Sequence, residues 1–432
     1  MEREDQAPQK SYITEFPTIF VGIKPEELGE YAHYTGAIGA VAQIYAIMDG
    51  PDPQRGRLYP ADANEKELEE ANQKDPKILD RTTVVRRDEK GNLVATPYSQ
   101  EYKELLGILS TNLGYLGETL RAPEDASYYQ KLSQAIAKGD YEEAKRIAIE
   151  MDPKIKIEIG LDRYRDQLMG AKDVFWAFMG MKDDEKSEIA QRLANDLTTA
   201  YGTGPVKVRV DDTLFLAGAL SEGKPGFKIE TDPKTGSMIT IFSPVRRERS
   251  GTHTSILDKI YPESVHHSKE ELETLSTTVM LGHELAHPYF NRTHERRSLG
   301  GKFAAISELY CDLFGIINTQ KLKGKSVSEE TWKLLIPHVV ASCVQKYQQL
   351  KDNKMMRAYF EGAVILFNNL LEKGVINFEG KELKFDEEEF LKAGKDILNE
   401  VDEIKSEQEA TAYVQRYLNT DAIEEYSRTQ AA

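Results

Sequence analysis

The sequence predicts an α+β protein, mainly α, in which a small β subdomain interrupts long helical text. Three observations carry that expectation. Apolar residues recur at three-to-four spacing through most of the chain. Between about residues 201 and 242 the period changes to two. A length of 432 residues also exceeds what one compact core usually holds, so two or more subdomains are expected.

Residues 1–56 open with a polar lead and turn helical from Pro25 to Met48. Asp49-Gly-Pro-Asp-Pro-Gln-Arg-Gly56 is dense in turn formers and closes that segment. Residues 57–200 read as a mainly helical lobe: Tyr102–Thr119, Ser127–Lys138 and Tyr141–Met151 have helical spacing, with Gly or Pro between them. Within it, Thr82-Thr-Val-Val-Arg-Arg87 followed by Asp88-Glu-Lys-Gly91 reads as a strand entering a turn. Residues 201–267 are the β subdomain. Val206-Lys-Val-Arg-Val210 and Phe227-Lys-Ile-Glu-Thr231 alternate strictly, Asp232-Pro-Lys-Thr-Gly236 turns the chain, and Met238-Ile-Thr-Ile-Phe242 continues as a strand. Residues 268–330 hold two helices, the first opened by Ser268-Lys-Glu-Glu271 in the form of a capping box. Residues 331–432 form a C-terminal helical region punctuated by Gly374, Gly380 and Asp386-Glu-Glu-Glu389.

Chemistry concentrates in Val279-Met-Leu-Gly-His-Glu-Leu-Ala-His-Pro-Tyr-Phe290 and in Ser307-Glu-Leu-Tyr-Cys-Asp312. His283 and His287 stand at i and i+4, so a helix puts both imidazoles on one face, about 6 Å apart along the axis. That spacing suits one metal ion, with zinc the usual occupant, and Glu284 then points to the attacking water as general base. A catalytic zinc keeps its fourth position for water, so a third protein ligand is needed, and Glu308 is the best candidate. Asp312, one turn further on, has a second-shell role open to it, because a ligating His usually gives its other N–H to a carboxylate. A solvated helix face is the bland alternative for Glu308 and Asp312, but acids at i,i+4 repel by a few tenths of a kcal/mol, which a nearby cation relieves. Leu272, Leu275, Val279 and Leu285 give the first segment an apolar stripe; Phe303, Ile306, Leu309, Leu313 and Ile317 do so for the second. Pro288 lacks an N–H and disfavours the α region at His287, so the first helix is expected to end there. The set reads as a catalytic zinc site of the gluzincin type, with one zinc per chain.

Composition narrows the function classes. A formal net charge of −16 argues against nucleic-acid binding, which needs clustered Lys and Arg. Cys311 and Cys343 do not make a disulfide framework and fit a reducing, cytoplasmic setting; Cys311 is expected to face a core. Met1-Glu-Arg-Glu-Asp-Gln6 has no apolar core for a signal peptide, and Ala37–Met48 is too short to span a bilayer, so no membrane partner is expected. Gly202-Thr-Gly204 lacks the third glycine and context of a dinucleotide site, and no P-loop or G-x-S-x-G elbow is present. Oligomeric state leaves no signal.

Several segments in shared order resemble the dipeptidyl-peptidase III family of zinc peptidases, especially its shorter bacterial-type members. They are Leu58-Tyr-Pro60, the run from Val84 to Tyr98, the run from Ile157 to Leu168, the His283–His287 motif, Glu308 to Asp312, and Leu366-Phe-Asn-Asn-Leu-Leu-Glu-Lys-Gly374. The resemblance runs from about Leu58 to Tyr417. It implies two lobes around a wide cleft, with a helical zinc lobe and the β subdomain lining the cleft. It also implies a peptidase acting near the free amino end of short peptides, with His283, His287 and Glu308 as ligands and Glu284 as general base. The family's downstream His, which steadies the transition state, falls in the Arg357–Gly362 region, where Tyr359 is the nearest counterpart. Tyr310 and His338 rank behind Tyr359 as oxyanion partners, the former expected to be a packed aromatic and the latter a helix-start residue. The family's asparagine-bearing strand has no clear counterpart; the corresponding text is Thr213–Glu222. His266, His267 and His294 are expected in loop or surface roles. Two rival readings remain: a peptide-binding protein on an inactive peptidase scaffold, which the intact Glu284 argues against, and a zinc hydrolase of a non-peptide amide.

Overall fold

The alternating text folds as strands, and the sheet it builds recruits more of the chain than its periodicity announced. The structure, a computed structural model, describes residues 18–21, 32–49, 57–162, 166, 168–223, 226–325, 327–352 and 356–431. The polar lead, the start of the helix expected from Pro25, the turn-rich stretch 50–56, and Arg163, Tyr164, Arg165 and Gln167 lie outside the described residues. Two compact units divide the chain: Met1–Ser187 with Lys207–Arg246, and Glu188–Val206 with Arg247–Ala432.

The strands of the first unit, in chain order, are β1 (Thr18–Val21), β2 (Thr83–Arg87), β3 (Leu93–Pro97), β4 (Ile155–Asp162), β5 (Val174–Lys182), β6 (Val206–Gly218), β7 (Phe227–Asp232) and β8 (Gly236–Phe242). The strand and turn expected over Thr82–Gly91 are present, and β3 completes a hairpin with β2; Asp88 Oδ1 accepts from the amides of Lys90 and Asn92, and Gly91 takes φ 82°. The main sheet runs β4-β5-β6-β8-β7, with β1 added antiparallel to β6. β4 and β5 fall in text expected to be mainly helical. Val174-Phe-Trp-Ala-Phe-Met-Gly-Met181 is a continuous apolar run, and periodicity alone does not separate a doubly covered strand from a buried helix. In β4 the alternation places Lys156 and Glu158 on one face, both buried and paired at 3.0 Å. Helices Ala32–Asp49, Lys103–Thr119 and Pro123–Lys138 join this sheet in one apolar core around Tyr98, Tyr128, Tyr129 and Phe175. Tyr128 and Tyr129 donate their hydroxyls to the carbonyls of Ile157 and Ile155, which ties helix to strand.

Among its described residues the second unit is mainly helical and carries a hairpin, β9 (Ile376–Glu379) with β10 (Glu382–Phe385), turned at Gly380, where φ is 65°. That hairpin lies where only helix breaks were expected. Two helices carry the motif residues: the first site helix, Lys269–Thr293, and the second site helix, Phe303–Thr319. Ser268 and Glu271 form the complete reciprocal capping box, so the start of the first site helix is as expected. Its end is not. The helix continues through Pro288 to Thr293, where an end at His287 was expected. An interior proline costs about 3 kcal/mol. Beyond it Phe290 is fully buried, with ring centroids 5.1 Å from Tyr310 and 5.4 Å from Phe303, and Tyr289 stacks on Phe314 at 4.7 Å. Burying such a side chain is worth about 1.5–3 kcal/mol and each aromatic pair about 0.5–1.5 more, enough to offset the break.

The two site helices touch backbone to backbone. A Cβ on Gly315 would lie 2.7 Å from the Gly282 carbonyl carbon and 2.8 Å from the His283 nitrogen. Glycine at both positions therefore lets the helix bearing His283 approach the helix bearing Glu308 and Asp312. Tyr201 fixes the same point by donating its hydroxyl to the Gly282 carbonyl at 3.1 Å. Among the described residues, no helix is long and apolar enough to cross a membrane.

Candidate metal centre

The first site helix delivers His283, Glu284 and His287 from consecutive turns, and the second delivers Glu308 and Asp312. The Nε2 atoms of His283 and His287 converge to 3.0 Å. Glu308 Oε2 stands 3.3 Å from His283 Nε2, and Glu308 Oε1 3.9 Å from His287 Nε2. Donors sharing one tetrahedral ion at bonds of about 2.1 Å stand about 3.4 Å apart, so this trio matches a single-ion site. Among the described residues it is the cluster able to offer three ligand atoms to one ion. Glu308 Oε2 is buried and makes no hydrogen bond by geometry, although it faces His283 Nε2. A buried carboxylate oxygen left in that state costs free energy that a cation would recover. Gly362, on the helix Arg357–Glu372, packs against Glu308: a Cβ there would lie 2.9 Å from Glu308 Cβ.

The outer nitrogens of the two imidazoles have unlike partners. His283 Nδ1 meets Asp312 Oδ1 at 2.7 Å, the arrangement expected of a ligating histidine. His287 Nδ1 meets Ser307 Oγ and Cys311 Sγ, each at 3.2 Å. Cys311 is fully buried, as expected of a core-facing residue, and burial pushes its thiol well above the usual range. Lys346, from the helix Leu335–Leu350, reaches Asp312 Oδ2 at 2.9 Å. Burial alone would raise the Asp312 carboxyl, but Lys346 and His283 outweigh it and hold the group well below the usual carboxylate range.

Glu284 is buried beside the trio, with Oε1 3.7 Å from His283 Nε2, and burial pushes its carboxyl up to about 7 against the pull of His283. Burial, then the neighbouring His283, holds His287 at about 4. Burial disfavours charge on His283 too, yet Asp312, Glu308 and Glu284 together raise it well above the ordinary value. Three carboxylates, Glu284, Glu308 and Asp312, stand around the two imidazoles, with one ammonium, Lys346, on Asp312, and a divalent cation would offset that negative charge. The residues present therefore fit a resident divalent metal.

The remaining expected residues lie apart from this cluster or stand at its edge. Tyr359 is half-buried in the first turn of Arg357–Glu372, three residues before Gly362 and so toward the same face of that helix. Tyr310 points into the aromatic cluster with Phe290 and Phe314, its hydroxyl toward Asp402, and is the packed aromatic expected. His338 lies in the first turn of its helix, Nδ1 3.0 Å from His253 Nε2. His294, expected in a loop or on the surface, is buried instead, stacked on Phe290 at 4.2 Å with Asp402 3.4 Å away. The helix that passes Pro288 carries it there. His266 is exposed in a short 3₁₀ turn and His267 is 3.9 Å from Glu271. Sequence reasoning missed Lys346; its signal was a lone lysine between Cys343, Val344 and Tyr347, all buried.

No family model matches the chain. Two solved structures share its fold: dipeptidyl-peptidase III from Caldithrix abyssi, with TM-score 0.74 and 20% identity over 94% of this chain and 85% of that one, and dipeptidyl-peptidase III from Corallococcus sp. strain EGB, with TM-score 0.67 and 17% identity over 89% and 78%. In sequence the chain is 21% identical over 327 residues, 67% of its length, to Nudix hydrolase 3 of Arabidopsis thaliana, of which it spans 41%.

Proposed function

From a chain with the dipeptidyl-peptidase III fold and a buried His283–His287–Glu308 cluster, we infer a zinc-dependent metallopeptidase that hydrolyses short peptides near the free amino end. The observation that carries the reading is the buried Glu308 carboxylate, with Oε2 3.3 Å from His283 Nε2 and Oε1 3.9 Å from His287 Nε2 on the neighbouring helix. His283, His287 and Glu308 hold the metal. When bound, zinc supplies a Lewis acid for the scissile carbonyl and lowers the pKa of its water towards about 7. Glu284 takes the proton from the attacking water on a carboxylate oxygen and delivers it to the leaving amine. Asp312 accepts from His283 Nδ1 and so keeps Nε2 free to ligate. Tyr359 is assigned to the oxyanion, because Gly362, one turn along its helix, packs on Glu308. A non-catalytic peptide binder has no need of a carboxylate buried at this position.

Peptides that differ only at the amino end test the substrate reading. The two structural neighbours are named for dipeptide release, and a cleft that holds a protonated amine needs acidic or carbonyl acceptors. Acetylating the amino end is expected to raise KM, lower kcat, or both. Equal cleavage of free and acetylated peptides at internal bonds would make the protein an endopeptidase on this scaffold. In the same assay Tyr359→Phe is expected to lower kcat by roughly 10²–10³-fold with little change in KM, as for loss of one oxyanion donor. An unchanged kcat removes Tyr359 from the mechanism.

A further inference from the structure

We propose that Lys346 is a positioning residue for the candidate metal centre, acting on His283 through Asp312; the inference rests on the reading of His283 as a ligand. Three side chains from three helices form one chain: His283 Nδ1 to Asp312 Oδ1 at 2.7 Å, then Asp312 Oδ2 to Lys346 Nζ at 2.9 Å. All three are largely shielded, with side-chain exposures of 9, 15 and 22%.

An aspartate carboxylate turns about a broad, roughly two-fold torsion, so an anchor at one oxygen alone leaves its plane free to swing. With Oδ2 held by the ammonium, Oδ1 is aimed at the imidazole. The ring of His283 is thereby set with Nε2 toward Glu308, 3.3 Å away, and His287, 3.0 Å away. Lys346 lies beside the buried Cys343, Val344 and Tyr347, its side chain is 22% exposed, and its ammonium is bound to Asp312 Oδ2.

Charge alone makes the opposite demand. A cation this close to a divalent metal repels it, and by Coulomb's law its removal should tighten metal binding. Orientation predicts that removal weakens binding. The two accounts thus differ in sign, and that difference decides between them.

The test is zinc affinity of the full chain, measured by competition with a chromophoric chelator, in Lys346→Met, Asp312→Asn and the double variant. Lys346→Met is expected to weaken zinc binding roughly 10-fold, the low end for loss of an outer partner. Added to Asp312→Asn, the same substitution should change affinity by less than about 2-fold, since Lys346 acts through the residue already altered. Unchanged or tighter binding in Lys346→Met overturns the proposal. So does an equal weakening in both backgrounds, which would make Lys346 a general support of the helices. Should Lys346→Met fail to fold because Asp312 is left buried without its cation, the double variant removes both charges together. Its affinity against Asp312→Asn then decides alone: equality upholds the proposal and a further 10-fold loss overturns it. A wild-type chain that takes up no zinc overturns the ligand reading and this inference with it, whereas normal wild-type binding with an unaffected Lys346→Met overturns only the latter.

Discussion

Glu284→Gln is expected to keep zinc and to lower kcat for peptide hydrolysis by roughly 10²–10⁴-fold, the usual worth of a positioned general base. The substitution preserves volume in a buried site, so packing of the first site helix is unaffected. Glu284 Oε1 stands 3.7 Å from His283 Nε2, beside the candidate ligand trio and not part of it, so its amide leaves that donor set whole. What is lost is the acceptor for the water's proton. At about 1.36 kcal/mol per decade, the loss corresponds to roughly 2.7–5.5 kcal/mol of barrier. Steady-state kinetics with metal analysis on the same sample check it; full turnover with zinc in place would assign the base to another residue.

Much of this site was legible because its signals are local. Two histidines at i and i+4, an acid between them and two acids on a second apolar-striped segment need only helical geometry to be read, and both segments are helices. Ser268 and Glu271 marked the helix start, and the cap is complete. What escaped the sequence depended on partners distant in the chain. The Pro288 break is overridden by rings from Phe303, Tyr310 and Phe314, which no local rule supplies. β5 is covered on both faces, and its continuous apolar text has no period to read. Lys346 pairs with a residue 34 positions away, so its role was visible only as an oddity of composition. The Gly282–Gly315 contact escaped for the same reason: two glycines mid-helix look like weak points until the opposing backbone is seen 2.7–3.3 Å from where a Cβ would stand.

Glu308→Ala has the other large expected effect, the loss of the metal. The trio would fall to two imidazoles, one donor short of the three protein ligands of a catalytic zinc. The metal-free chain should tolerate the change, because the variant removes a buried carboxylate whose Oε2 makes no hydrogen bond by geometry, and alanine keeps the Cβ against which Gly362 packs tightly. Loss of zinc without loss of fold separates a ligand from a structural residue. Elemental analysis of the purified wild-type chain and of Glu308→Ala, both equilibrated in the same zinc-buffered solution, measures this directly. The predicted result is about one zinc per chain in the wild type and none in the variant, with circular dichroism unchanged; equal zinc in both, or none in either, would contradict it.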